Sequence, residues 1–385
     1  MALRVILTTG GTGGHIFPAL AAAEALKKRL PDADILFVGG LYGREQELAE
    51  KAGLPFLGLP VRGMLGRGLK ALPAAWAMLG GIVRAWSHIH KWKPDVVMGF
   101  GGYAAFATVF AAWLRGRPTG LHEQNAVPGA ANSILGRLVR RVCLSWPQPE
   151  GRAAFAPVKC VLTGNPIRAE IAAVGGVSDN GDPLSVHPGS DRHPSRRRDA
   201  AGRPTLLIMG GSQGAVAVNS LAISLLSSLR DAHVDILHQT GPKDLDRVRA
   251  AYQAHGYTTE DVQDRVLPFI DDMAAAYAWA DLVLCRAGAT TLAELACTGT
   301  PSVLVPFPFA AHDHQTGNAR AMEDAGGAVL VPERDLEDRD MSALILGLLR
   351  DAERRERMAA GARSLARPEA AGSVADEIIK LATLQ

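Results

Sequence analysis

The chain has 385 residues, 48% hydrophobic and 21% charged, which is too long for one ordinary core and suits two soluble globular domains. Four cysteines (Cys143, Cys160, Cys285 and Cys297) show no CxxC spacing, which argues against a zinc ribbon or disulfide framework and fits a reducing compartment. Net charge is only +2, yet residues 1–168 carry 20 Lys/Arg against 9 Asp/Glu and the remainder 21 against 30, so an anionic partner suits the first half.

The opening MALRVILTTGG lacks the basic and then apolar regions of a signal peptide. RVILTTGG reads as a strand entering a glycine turn, FPALAAAEALKKRL as the helix that follows, and DILFVGG as the next strand. Residues 96–114 are long enough to cross a membrane, but Gly99, Gly101 and Gly102 divide them into a strand-length and a helix-length piece. PTGLHEQN, VCLSW and VKCVLTGNP continue the strands, with a helix over GAANSILGRLVRR after the first. Strands alternating with helices predict a parallel sheet covered on both faces.

Near Pro166 the pattern stops, and residues 173–203, rich in Gly, Pro, Ser, Asp and Arg, read as a mobile insertion. It resumes with RPTLLIMGGSQGAVAVNSLAISLLSSL, again strand, glycine turn and helix, and VDILHQTG, VLPFI, DLVLCRAG and PSVLVPFP supply further strands. The prediction is an α/β chain with a first domain over 1–166 and a linker with the insertion over 167–204. A second domain follows over 205–365, and an amphipathic helix over 366–385 docks near the first domain.

A glycine turn after a strand lets backbone approach a ligand, and N–H groups at the next helix start favour an anion. Neither loop is a dinucleotide or ATP type. From Gly11 and Gly13 the third glycine of GxGxxG is replaced by Ile16, no acidic residue ends DILFVGG, and no Gly-Lys-Ser/Thr follows. GGSQGA, with Gly211, Ser212 and Gly214, misses both templates too, so a nicotinamide dehydrogenase is the weakest reading. Asp-x-Asp triplets at 32–34, 244–246 and 338–340 read as solvated surface. His312 and His314 lack a third ligand, so no metal is called for.

The order of the loops is the specific signal. TTGGTGGHIFPA, GFGGY, HEQNAVPG, TGNPIR, MGGSQGA, CRAGATTLAE and HDHQTGNA succeed one another along nearly the whole chain. This succession resembles the MurG family, the bacterial UDP-N-acetylglucosamine:lipid-linked muramyl-peptide N-acetylglucosaminyltransferases. The resemblance implies a GT-B fold, two Rossmann-like domains facing across a cleft, with no cofactor. It implies an inverting transfer of N-acetylglucosamine from UDP-N-acetylglucosamine to the 4-hydroxyl of lipid-linked N-acetylmuramyl-peptide (lipid I to lipid II), a step of peptidoglycan synthesis. It also implies a peripheral protein at the cytoplasmic face of the inner membrane, with cell-wall synthesis or division proteins as partners.

By the same resemblance the donor meets Thr12, Gly13, Gly14, Asn125, Arg168, Ser212, Ile270, Ala289, Thr290, Thr291, Leu292, Ala293, Glu294 and Gln315. Ser212 at a helix start and the forked Arg168 cation suit a pyrophosphate. Glu294 can accept from two vicinal ribose hydroxyls, Ile270 can offer uracil only its backbone, and Gln315 suits sugar hydroxyls. His15 is the first candidate for the base, since an imidazole has a reference pKa near about 6.5. Glu123 and His122 stay open as alternatives, each also readable as a structural capping group, and His15 as a hydrogen-bond partner of a phosphate or backbone group.

Gly102, Tyr103 and His122 are read on the acceptor side. Arg67, Lys70, Trp76, Leu79, Trp86 and Arg140 mix cations with large apolar groups, as a polyprenyl pyrophosphate and an anionic membrane surface require. No nucleic-acid motif accompanies this charge. Two rivals stand: a sugar-nucleotide enzyme of the same architecture, such as an epimerase or a transferase acting on diacylglycerol, and a sugar-nucleotide-binding scaffold without turnover.

Overall fold

A computed structural model describes residues 2–11, 13–61, 71–148, 153–174, 202–211, 214–310 and 313–383. Thr12, Arg67, Lys70, Ser212, His312 and residues 175–201 of the expected insertion lie outside the described residues. The chain divides into two compact units, Met1–Arg168 with Arg367–Gln385, and Ala169–Ala366.

The first unit runs β1 (Arg4–Thr8), α1 (Gly13–Arg29), β2 (Asp34–Gly40), α2 (Glu45–Lys51), β3 (Phe56–Leu59) and α3 (Ala71–Trp92). It continues β4 (Val96–Gly99), α4 (Gly102–Leu114), β5 (Thr119–Glu123), α5 (Ala130–Leu138), β6 (Arg141–Leu144) and β7 (Cys160–Leu162). Among the described residues these strands form one parallel sheet in the order β3-β2-β1-β4-β5-β6-β7. Alternation along β1 sends Val5 and Leu7 into the core under α1 and Ile6 into the one under α3 and α4, which is why the strand is apolar throughout. The apolar run at 96–114 resolves into β4 and an alanine-rich α4 buried against the sheet. No described helix is long and apolar enough to cross a membrane.

The second unit runs α6 (Ala169–Ala172), β8 (Thr205–Met209), α7 (Val216–Asp231), β9 (Asp235–Gln239), α8 (Leu245–Ala254), α9 (Thr259–Arg265) and β10 (Val266–Leu267). It continues α10 (Met273–Trp279), β11 (Leu282–Cys285), α11 (Ala289–Thr298), β12 (Ser302–Leu304), α12 (His314–Asp324), β13 (Ala328–Leu330), α13 (Met341–Arg350) and α14 (Ala352–Ser364). Its described strands form a second parallel sheet, β10-β9-β8-β11-β12-β13. The strand expected over VLPFI shrinks to two residues because Pro268 has no N–H to continue the ladder.

The last helix, α15 (Ala370–Thr383), belongs to the first unit: Val374, Ile378 and Leu381 share a core with Val5, Leu7 and Ile16. Arg29 pairs with Asp376, and Arg141 with Glu377. Within the expected linker, Ile167 is buried in the first unit and α6 packs on α10 and α11 of the second. In each sheet the strand order reverses once, between β1 and β4 and between β8 and β11. In open parallel sheets ligands bind outside the carboxyl ends of the strands at such a point.

Candidate active site

In the first unit the loops after β1 and β4 are tied together, with Gly10 N donating to the Gly101 carbonyl at 3.0 Å. Gly102 and Tyr103 open α4 directly after this tie. Gly13 and Gly14 begin α1, which carries the half-buried His15 in its first turn. The His15 ring lies against Gly101, whose φ of +93° belongs to glycine: a Cβ there would sit 2.9 Å from Nδ1. Sequence reasoning missed the residue that supports this loop. Glu45, buried at the start of α2, accepts from Gly11 N at 3.0 Å and so anchors the first loop from behind. Its signal is the glycine cluster of VGGLYGRE, since side chains at Gly39 and Gly43 would displace the carboxylate's arm.

His122 and Glu123 are corrected. The His122 ring is fully buried, lies tilted against Phe100 with centroids 5.6 Å apart, and pairs its Nε2 with the Gly164 carbonyl at 2.9 Å. Burial holds its pKa down at about 4 against the opposing hydrogen bond to Gly164, so it is a neutral core imidazole, fully covered from solvent. Glu123 accepts four hydrogen bonds: Asn125 N and Nδ2 on Oε1, and Gly129 N and Asn132 Nδ2 on Oε2. Two carboxylate oxygens offer about four such positions, so this side chain shapes the 125–132 loop instead of presenting a base. Burial nonetheless raises its pKa against those donors. Asn125, half-buried, is the first residue past β5 that emerges from the core.

Arg168 closes the first unit, its guanidinium 5.0 Å over the Phe17 ring on the helix of His15. Arg140 precedes β6, where its backbone N–H donates to the Thr119 carbonyl at 3.0 Å. Trp76, Leu79, Val83 and Trp86 are all exposed at helical spacing on α3, and Arg115 covers the Trp86 ring at 4.7 Å. The early part of α3 follows β3, so Trp76 starts this stripe on the ligand side of the sheet.

In the second unit the loop after β8 is moulded onto the end of β9. Gln239 Nε2 donates to the Gly211 carbonyl at 3.1 Å, and Asn219 Nδ2 to the Thr240 carbonyl at 3.0 Å. Gly214, at φ +76°, passes so close to that carbonyl that any Cβ would collide with it. Asp244, read as solvated surface, instead accepts from Asn219 Nδ2 at 2.7 Å and from Arg247. Across the switch point, α11 begins at Ala289. Ala289, Thr290, Leu292 and Glu294 are buried, while Thr291 and Ala293 are half-exposed. Glu294 Oε2 accepts from the Tyr277 hydroxyl at 2.8 Å. The Ile270 side chain is buried, which leaves only its backbone for a ligand. Gln315 Oε1 accepts from Phe307 N at 2.9 Å, so a ligand would meet its amide N–H groups. Arg286, also missed, donates to the Val305 and Pro306 carbonyls, pairs with Glu333 and underlies Phe307, bracing the loop that reaches Gln315. No three His, Cys, Asp or Glu among the described residues are grouped to hold a metal.

Two family models match these units in turn, the glycosyltransferase family 28 N-terminal domain over residues 5–144 and its C-terminal domain over 205–374. A transferase of Nitratidesulfovibrio vulgaris (strain DP4), named UDP-N-acetylglucosamine--N-acetylmuramyl-(pentapeptide) pyrophosphoryl-undecaprenol N-acetylglucosamine transferase, is 53% identical over 98% of this chain and 97% of its own. The chain belongs to glycosyltransferase family 28. A relative of the same name from Solidesulfovibrio magneticus is 47% identical over 98% of both chains. The crystal structure of Acinetobacter baumannii MurG superposes with a TM-score of 0.71 at 32% identity, covering 98% of this chain and 99% of that one. This family 28 glycosyltransferase therefore has the GT-B fold. A UDP-N-acetylglucosamine 2-epimerase shares that fold at 15% identity and a TM-score of 0.63.

Proposed function

We propose that this glycosyltransferase moves N-acetylglucosamine from UDP-N-acetylglucosamine to the 4-hydroxyl of a polyprenyl-pyrophosphoryl N-acetylmuramyl peptide. The acceptor oxygen attacks the anomeric carbon while the bond to the β-phosphate oxygen breaks. The electron pair leaves with UDP, the hydroxyl proton passes to His15, and the anomeric centre inverts to a β-1,4 link. The observation that carries this reading is where the seven family-matching loops fall. Each follows the carboxyl end of a strand, after β1, β4, β5 and β7 in the first unit and after β8, β11 and β12 in the second.

The roles divide between the units. The second holds the nucleotide: Glu294 takes the ribose hydroxyls, the Ile270 backbone the uracil, the Ala289–Ala293 turn and the 210–215 loop with Ser212 the pyrophosphate, and Gln315 donates to the sugar. Arg168, with Gly13, Gly14 and Thr12, adds positive charge and N–H donors toward phosphate, and Asn125 contacts the donor sugar. Fixed donors aimed at charge that develops on the leaving group stabilise the transition state without needing to reorganise. The first unit takes the acceptor near Gly102 and Tyr103, and its α3 stripe rests on the anionic cytoplasmic leaflet, where each nearby cation contributes about 1 kcal/mol.

The test is incubation of the protein with labelled UDP-N-acetylglucosamine and a lipid-linked muramyl-peptide acceptor. Label moving into a lipid-borne disaccharide, only when acceptor is present, is the expected result. A donor epimerised without acceptor, or UDP bound with no turnover, overturns the reading.

A further inference from the structure

We infer that Tyr277 is a positioning residue that sets the ribose-binding geometry of Glu294; this rests on the reading that Glu294 accepts from the ribose hydroxyls. Tyr277 lies on α10, is 2% exposed, and donates its hydroxyl to Glu294 Oε2 at 2.8 Å; Glu294, on the neighbouring α11, is 6% exposed. A glutamate has three side-chain torsions, and a vicinal diol is recognised only if the carboxylate plane is held in one direction. A phenol that rises from a second helix and grips one oxygen supplies that constraint. The ring is held in turn by a short helix that Asp272 caps through Ala275 N at 2.9 Å.

The same helix begins three residues after Ile270, whose backbone is the proposed uracil contact. Base and ribose contacts are thereby referred to one rigid piece, α10 with its cap. The Tyr277 hydroxyl is what reaches Glu294.

The experiment uses the full chain and compares UDP with 2′-deoxy-UDP as competitive inhibitors, alongside kcat and KM for UDP-N-acetylglucosamine. Wild type should prefer UDP roughly tenfold or more. Tyr277→Phe should cut that preference about threefold or more and raise KM by a similar factor, with kcat within about twofold. A packing role alone leaves the preference intact, so an unchanged ratio in Y277F overturns the inference while the reading of Glu294 stands. If wild type and Glu294→Ala both ignore the 2′-hydroxyl, it is the reading of Glu294 that fails, and the inference with it. Should Y277F not fold, 2,3,5-trifluorotyrosine placed at 277 replaces it. Its phenolate, whose formation is followed by the ring's absorbance, can no longer donate to Glu294, so the preference must fall as the phenolate forms, and a preference unchanged across that titration overturns the inference.

Discussion

The imidazole of His15 fills the space where a side chain of Gly101 would stand, with Nδ1 2.9 Å and Cε1 3.0 Å from the position of a Cβ. Two loops from neighbouring strands thus meet with no side chain between them, and the base candidate is packed into the gap. Gly101→Ala is unfavourable twice over: alanine resists φ +93°, at a cost of about 1–3 kcal/mol, and its methyl pushes the ring aside. Turnover should fall at least tenfold while UDP affinity, set mainly by the base and ribose contacts of the other unit, stays within about threefold. Isothermal titration with UDP and a steady-state assay separate the two, and an unchanged kcat removes His15 from the chemistry.

His15→Ala should lower kcat by about 10²–10⁴-fold, the ordinary contribution of a general base, again with UDP binding retained. The acidic limb of the pH–rate profile should vanish in that variant. In Glu123→Gln the limb should persist, because Glu123 holds the 125–132 loop with both oxygens already occupied; the loss there should instead appear as a higher KM for UDP-N-acetylglucosamine, since that loop carries Asn125. A limb that disappears with Glu123 and survives without His15 reverses the assignment.

Why sequence placed His122 and Glu123 in the site is instructive. HEQN ends a strand, where sites in parallel sheets sit, but all five residues of β5 are buried and Gln124 after them is buried too. Only at Asn125 does the chain turn outward, and no local pattern marks that point. Strand–glycine–helix openings were readable because backbone conformation demands glycine there. Strands β3 and β13 went unread because a three- or four-residue edge strand needs little apolar signal. Glu45, Gln239 and Tyr277 were invisible for another reason: each acts on a loop or side chain far from it in sequence.

Stability should fall on mild acidification. His122 and His238 are fully buried, and burial holds their pKa values at about 4 and about 3, below the ordinary 6.5. Unfolded chains take up a proton on each as pH drops below 6.5 while the folded protein does not, so protons favour unfolding. The stability is therefore complete above about pH 6.5 and is lost progressively toward pH 3–4, on the order of 3–5 kcal/mol per histidine over the whole window. Glu123, its pKa raised, works in the opposite direction. Urea unfolding at pH 7.5, 6 and 5 measures the slope. His238→Phe breaks hydrogen bonds to Tyr252 and Asn219 and should lower stability at every pH, yet it should flatten the slope. A slope unaltered by that change means that the buried imidazole at 238 does not cause it.

The exposed stripe of α3 sets the last expectation. Trp76 and Val83 are 73% and 64% exposed, Leu79 and Trp86 lie between and beyond them at spacings of three and four, and Arg115 stacks on Trp86. Large apolar groups left in water along one helix face, on a unit with excess Lys/Arg, suit the interface of an anionic bilayer better than any buried packing. Trp76→Glu with Val83→Glu removes apolar contact and adds two charges that the leaflet repels. Sedimentation with vesicles containing anionic lipid should drop at least tenfold, and transfer to a lipid-embedded acceptor should drop with it. Transfer to a water-soluble, short-chain acceptor should hold within about twofold, since neither residue touches the reacting groups. Wild-type binding should weaken as salt rises, because the cations act through a screened field. Equal vesicle binding by the double variant assigns the stripe to something other than a lipid surface.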